Sequence, residues 1–189
     1  MDKRKSRKPP ERLTREVWLE KALEVLRHEG NAGLRIDHFT HLLGVTKGSF
    51  YWHFKDRSDF RNAILDYWDQ IYTKRVTAKA EAGGGDAGER LRRAIELVTR
   101  EDLSGYDEPI DGWAAHESDI AARVRKVYKF RYNYIRSLFA EMGFKGADLE
   151  TRTVACLGLL KSERSMPPGN KSRPSRARID AWMKFFTKP

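Results

Sequence analysis

The sequence predicts an all-α chain. Three observations carry this. Apolar residues recur at spacings of three and four along most of the length, no segment alternates convincingly with period two, and glycine or proline breaks separate the helical stretches. Thr14 stands where it can cap a first helix with Trp18, Leu19, Ala22, Leu23, Val25 and Leu26 on its inward stripe, and Gly30 ends that helix. A second, short helix reads from about Ile36 to Leu43, and Gly44-Val45-Thr46 breaks it. A third runs from Lys47 to about His53. Asp56 offers a cap to a long fourth helix reaching about Ala82, with Asp59 adding favourable charge in its first turn. That helix carries Phe60, Ile64, Leu65, Trp68, Ile71 and Tyr72. After the break at Gly83-Gly84-Gly85, helices are expected over about Ala87–Thr99, just before His116, over Asp119–Met142 and over Asp148–Ser165. Met166 to Asn170 reads as a loop, and a final helix carries Ile179, Trp182, Met183, Phe185 and Phe186.

The chain has 189 residues, enough for one compact domain and a small one. A single cysteine rules out an internal disulfide framework and fits a reducing cytoplasm. The longest apolar run, Val154 to Leu160, falls far short of the ~20 residues of a membrane span. The formal net charge is +10. Residues 1–57 hold 13 basic and 8 acidic side chains, the middle is close to neutral, and residues 161–189 hold 8 and 2. A basic N-terminal block points to a polyanion, with nucleic acid first; solubilising surface charge is the plainer alternative. No phosphate loop, GxSxG elbow or HExxH pair is present, so no enzyme is expected and no cofactor is implied. His116-Glu117 with Asp119 is too local a cluster to read as a metal site.

The informative stretch is Ile36 to Phe54, with the form helix, tight turn, helix. Gly44 supplies the positive φ of the turn, Val45 plugs the space where the helices meet, and the Thr46 hydroxyl caps the next helix. At 100° per residue, Phe50 and Phe54 point inward together, against Phe39 and Leu42. Gly48, Ser49 and Trp52 then face outward, flanked by Tyr51 and His53. A solvated helix face normally carries Glu, Lys and Gln. Aromatic rings with polar tips, small hydroxyls and a glycine that permits close approach suit base edges and phosphate oxygens instead. Packing of Tyr51 and Trp52 on a neighbouring helix is the competing reading.

The run GVTKGSFYWHF, followed by Asp56 and a long helix, resembles the DNA-binding domain of TetR-family transcriptional regulators, over about Trp18 to Leu65. The resemblance implies an N-terminal three-helix DNA-binding domain (13–57) behind a basic flexible arm (1–12), joined to a helical ligand-binding and dimerisation domain (58–189). It implies that Thr46 and Lys47 meet phosphate or the groove edge, that Gly48 and Ser49 lie closest to bases, that Tyr51 and His53 reach the backbone, and that Trp52 helps select sequence. Lys55 adds a phosphate contact. Arg35 replaces the hydroxyl cap common in relatives and is placed to meet phosphate. Two readings of the Lys3–Lys8 arm stand, one in a minor groove and one as a solvated tail.

The resemblance further implies a homodimer on a near-palindromic double-stranded DNA operator, with repression as the default and an unknown small-molecule effector. Leu149, Leu157, Leu160, Ile179, Trp182 and Phe186 are the candidate dimer residues on the last two helices, with an intramolecular core as the alternative. Trp113 and His116 are the preferred effector contacts, with Tyr67, Phe130 and Tyr134 behind them. A sequence-tolerant DNA-packaging protein, or a helical enzyme or ligand-binding module carrying the same motif, would be the competing functions.

Overall fold

A computed structural model describes residues 13–163 and 174–188. The expected arm (1–12) and the loop at 166–170 lie outside the described residues. The described residues form helices joined by turns, with no strand among them. In chain order the helices are α1 (Arg15–Glu29), α2 (Ile36–Leu43), α3 (Lys47–His53), α4 (Arg57–Asp69), α5 (Arg75–Ala82), α6 (Ala87–Arg100), α7 (Asp107–Ala114), α8 (Ser118–Glu141), α9 (Gly146–Ser162) and α10 (Arg176–Thr187).

The early helix ends follow their capping chemistry. The hydroxyls of Thr14 and Thr46 accept from the N–H groups of Val17 and Ser49, and the Asp56 carboxylate accepts from Asp59. At the end of α2, Gly44 is left-handed (φ 64°). Its N–H donates to the His41 carbonyl and that of Val45 to the Thr40 carbonyl, which satisfies two terminal acceptors at once. Gly33 serves closeness, not turning: a Cβ there would stand 2.6 Å from Val25 Cγ1.

Around these caps, α1 to α4 enclose an aromatic core. Trp18, Phe39, Phe50, Phe54 and Phe60 are essentially inaccessible to solvent. Phe60 lies 5.3 Å from Phe39, 5.3 Å from Phe50 and 4.7 Å from Phe54, centroid to centroid. Each such pair contributes about 0.5–1.5 kcal/mol beyond its buried area. Leu42 departs from the expected inward position and is 42% exposed. The inward stripe of α2 is Ile36, Phe39, Thr40 and Leu43, and Leu42 falls off its edge.

The long fourth helix reaches Ala82 as expected, but it is not regular. Residues Gln70–Lys74 form a π turn between α4 and α5, and Tyr72 and Thr73 sit on it. Ile110, Trp113, Ile120 and Val124 extend the N-terminal core into α7 and α8. A second core joins α6, α8, α9 and α10 through Leu91, Ile95, Phe139, Cys156 and Phe186. Leu149, Ile179 and Phe186 belong to it and are buried within this chain, so they are not surface available to a second copy. Leu157, Leu160 and Trp182 are half-buried against it. Burial pushes the Cys156 thiol up to about 12, which keeps it protonated and inert.

Gly44→Ala should lower the unfolding free energy by ~1–2 kcal/mol, since the turn forces a Cβ into the left-handed region. Urea titration measures this, and an unchanged midpoint would contradict the role of the cap.

Candidate nucleic-acid interface and an interior cavity

The aromatic core fixes how α3 is rotated. With Phe50 and Phe54 buried, the opposite face turns to solvent: Tyr51 is 56% and Trp52 73% exposed. Gly48 lies on the same face. Its helical backbone needs no glycine, because a Cβ would meet only Thr46 Oγ1, at an ordinary 3.5 Å. Glycine in a helix costs ~0.5–1 kcal/mol relative to alanine, and nothing among the described residues offsets it. Ser49 is half-buried beside the cap.

Cations ring this face. The side chains of Arg35, Lys55 and Arg57 are exposed and pair with no carboxylate among the described residues. The side chain of Arg35 makes no capping bond to α2. Lys47 is exposed but engaged: its ammonium lies 2.6 Å from Asp37 on α2, and that carboxylate raises its pKa. His53 is half-buried, its ring 6.1 Å from Trp18 and 4.8 Å from Trp52. Arg35 and Thr46 stand at the N-cap positions of α2 and α3, Lys47 to His53 form α3, and Lys55 follows it in the turn to α4. The sequence reading missed Arg57, which the first turn of α4 presents next to Lys55.

The expected effector contacts are not brought together. Trp113 is buried in the N-terminal core, donates to Glu117 at 2.9 Å and stacks under the Arg61 guanidinium. His116 is exposed just past the end of α7. Tyr67 donates to Glu20 across the α1–α4 contact, and burial with that carboxylate pushes its phenol up to about 12. Phe130 is solvent-facing. Of these, Tyr134 lines a cavity.

That cavity has a volume of about 570 Å³ and lies among α5, α6, α8 and α9 and the π turn, within the range of small-molecule sites. Tyr72, Val76, Val98, Leu103, Ile135 and Leu157 supply much of its apolar wall. At one end the Asp107 carboxylate accepts from Trp68 Nε1 (3.1 Å) and pairs with Arg131 (2.7 Å). Arg131 also donates to Thr73 Oγ1 (2.8 Å) and lies over the Trp68 ring. Spacing gave no hint of this network, because its members come from four separate elements. No group of three potential metal ligands occurs among the described residues, and none of their helices is long and apolar enough to cross a membrane.

The described fold matches solved structures along nearly its whole length. A protein from Rhodococcus sp. assigned to the TetR family of transcriptional regulators superposes with a TM-score of 0.73 at 19% identity, covering 92% of this chain and 98% of that one. AibR, in complex with isovaleryl coenzyme A and operator DNA, gives a TM-score of 0.70 at 18% identity, covering 94% and 99%. In sequence, 53 residues are 36% identical to the HTH-type transcriptional regulator AcrR of Shigella flexneri. This match spans 28% of this chain and 25% of that relative. No protein-family model matches the chain. The all-α fold, with its N-terminal helix-turn-helix unit, is thus that of TetR-family regulators.

Asp107→Ala removes the carboxylate partner of half-buried Arg131 and the acceptor of Trp68 Nε1, and should destabilise the protein by ~1–3 kcal/mol. Asp107→Ala/Arg131→Met should recover most of that loss in urea titrations. An equal loss in both variants would contradict a mutually compensating pair.

Proposed function

We propose that the protein is a homodimeric, ligand-responsive DNA-binding regulator of transcription, acting by default as a repressor. The observation that carries the reading is the exposed face of α3. It holds a glycine the fold does not need and two solvent-facing aromatics, ringed by Arg35, Lys47, Lys55 and Arg57. Positive side chains at the rim supply the phosphate term, which positions the helix. Gly48 lets the start of α3 approach base edges, with Ser49 beside it. Tyr51 and His53 contact the backbone, and Trp52 contributes to sequence preference. Lys47 exchanges Asp37 for a phosphate on binding.

Two copies read half-sites about one helical turn apart. The surface that suits a second copy differs from the one first expected. It comprises Thr151, Val154, Ala155 and Gly158 on α9 with Ala177, Ala181 and Phe185 on α10, all exposed. Leu157, Leu160 and Trp182 flank it. The cavity holds the effector, as the ligand and operator complex of AibR supports by similarity of fold.

Three variants test this. Gly48→Ala should leave the fold as stable or up to ~1 kcal/mol more stable while weakening affinity for duplex DNA measured by fluorescence anisotropy. Unchanged DNA affinity would remove the reason for the glycine. Tyr51→Ala should weaken DNA binding without loss of helicity; collapse of the fold would make Tyr51 a packing residue. Phe185→Glu should yield folded monomers in sedimentation, and a persistent dimer would move the interface elsewhere.

A further inference from the structure

We infer that the cavity selects a ligand with an apolar body and a single anionic head, the head being held at the rim by Lys129. This rests on the reading of the cavity as the effector site. The argument is one of polar groups already spent. Tyr128 donates to Asp111 (2.8 Å), Tyr134 to Glu81 (2.8 Å) and Tyr132 to Glu150, while Tyr72 stacks on Tyr106. Thr77 donates to the Lys74 carbonyl, and Thr73 accepts from Arg131. The Asp107 oxygens accept from Trp68 and from Arg131, whose guanidinium offsets the carboxylate's charge, and Lys161 is paired with Asp111 at 2.5 Å.

Among the wall side chains of the described residues, this leaves Lys129 and Ser104 without a partner. No carboxylate on the wall is spare, so a cationic ligand finds no counter-charge. A ligand rich in neutral polar groups finds few unspent partners, the Ser104 hydroxyl and the Thr73 hydroxyl proton among them, and its remaining donors and acceptors would be buried unpaired. An apolar body loses nothing on this wall, and an anionic end gains the Lys129 ammonium. Arg125 and Lys126 stand one turn before Lys129 on α8, exposed and without a carboxylate among the described residues. They extend the positive rim outward and steer anions to it.

Isothermal titration of the full chain, without DNA, tests the inference with four probes sharing a ten-carbon tail: decanoate, decan-1-ol, decyltrimethylammonium and decanoyl coenzyme A. Decanoate should bind about tenfold more tightly than decan-1-ol, and the ammonium should bind weakest. Lys129→Gln should abolish the preference for decanoate while leaving decan-1-ol binding and the thermal midpoint unchanged. If the natural head is a free carboxylate, Arg125→Gln/Lys126→Gln leaves decanoate the tightest binder. If it is a phosphorylated thioester carrier, decanoyl coenzyme A binds more tightly than decanoate and loses that advantage in the same variant. Equal affinity for the anion, alcohol and ammonium, a preference that survives Lys129→Gln, or no binding by any probe would overturn the inference. Because no DNA is present, a failed DNA-binding assay leaves these outcomes separately readable.

Discussion

The packing of five aromatic rings from α1 to α4 governs what the N-terminal unit can do. Trp18, Phe39, Phe50, Phe54 and Phe60 interlock at edge and tilted angles, with Phe60 touching three of the others. A helix of seven residues has little stability of its own. The short α3 owes its existence to the Thr46 cap and to burial of Phe50, and Phe54 closes its far end. The same anchoring sets its rotation. Loss of a ring would therefore disturb the direction in which Gly48, Tyr51 and Trp52 face as well as the stability of the core.

A continuous set of contacts links this core to the cavity. Phe60, Ile64 and Trp68 lie on one helix and in one core; Phe60 packs on Phe50 of α3, and Trp68 donates to Asp107. Asp107 and Arg131 both line the cavity, and Arg131 stacks on Trp68 and bonds to Thr73 on the π turn. A π turn offers a local place where a helix can change register, and such turns recur at functional sites. Spatial continuity is only the structural half of a coupling. In the proposed regulator, the energetic half would be a ligand affinity that differs between DNA-bound and free states, reciprocated in DNA affinity.

The helix-turn-helix unit was legible because its determinants are local. Thr46, Gly44 and the Phe50/Phe54 spacing fix it within a dozen residues, and the bounds of α2 and α3 follow from them. Where local periodicity alone was used, it erred at the stripe's edge, as Leu42 shows. The cavity was not legible. Trp113 and His116 share a helix face in sequence, yet Arg61 and Glu117, 56 residues apart, capture the indole from both sides. Three of the six expected dimer residues lie inside the chain for a related reason. An apolar stripe does not say whether it meets its own chain or a copy, and Leu149, Ile179 and Phe186 meet their own chain. Phe185, which the sequence groups with Phe186 on the final helix, is 72% exposed and marks the outer side of α10.

The central claim is that the outward face of α3 reads DNA sequence. Selection of bound duplexes from a random pool by the full chain, repeated over rounds at fixed salt, tests it most directly. The account predicts enrichment of one short motif, present twice with two-fold symmetry and about one helical turn between centres. Recovery of duplexes with no shared motif, bound as tightly as the starting pool, would contradict it and leave only a salt-dependent attraction between a basic surface and phosphate.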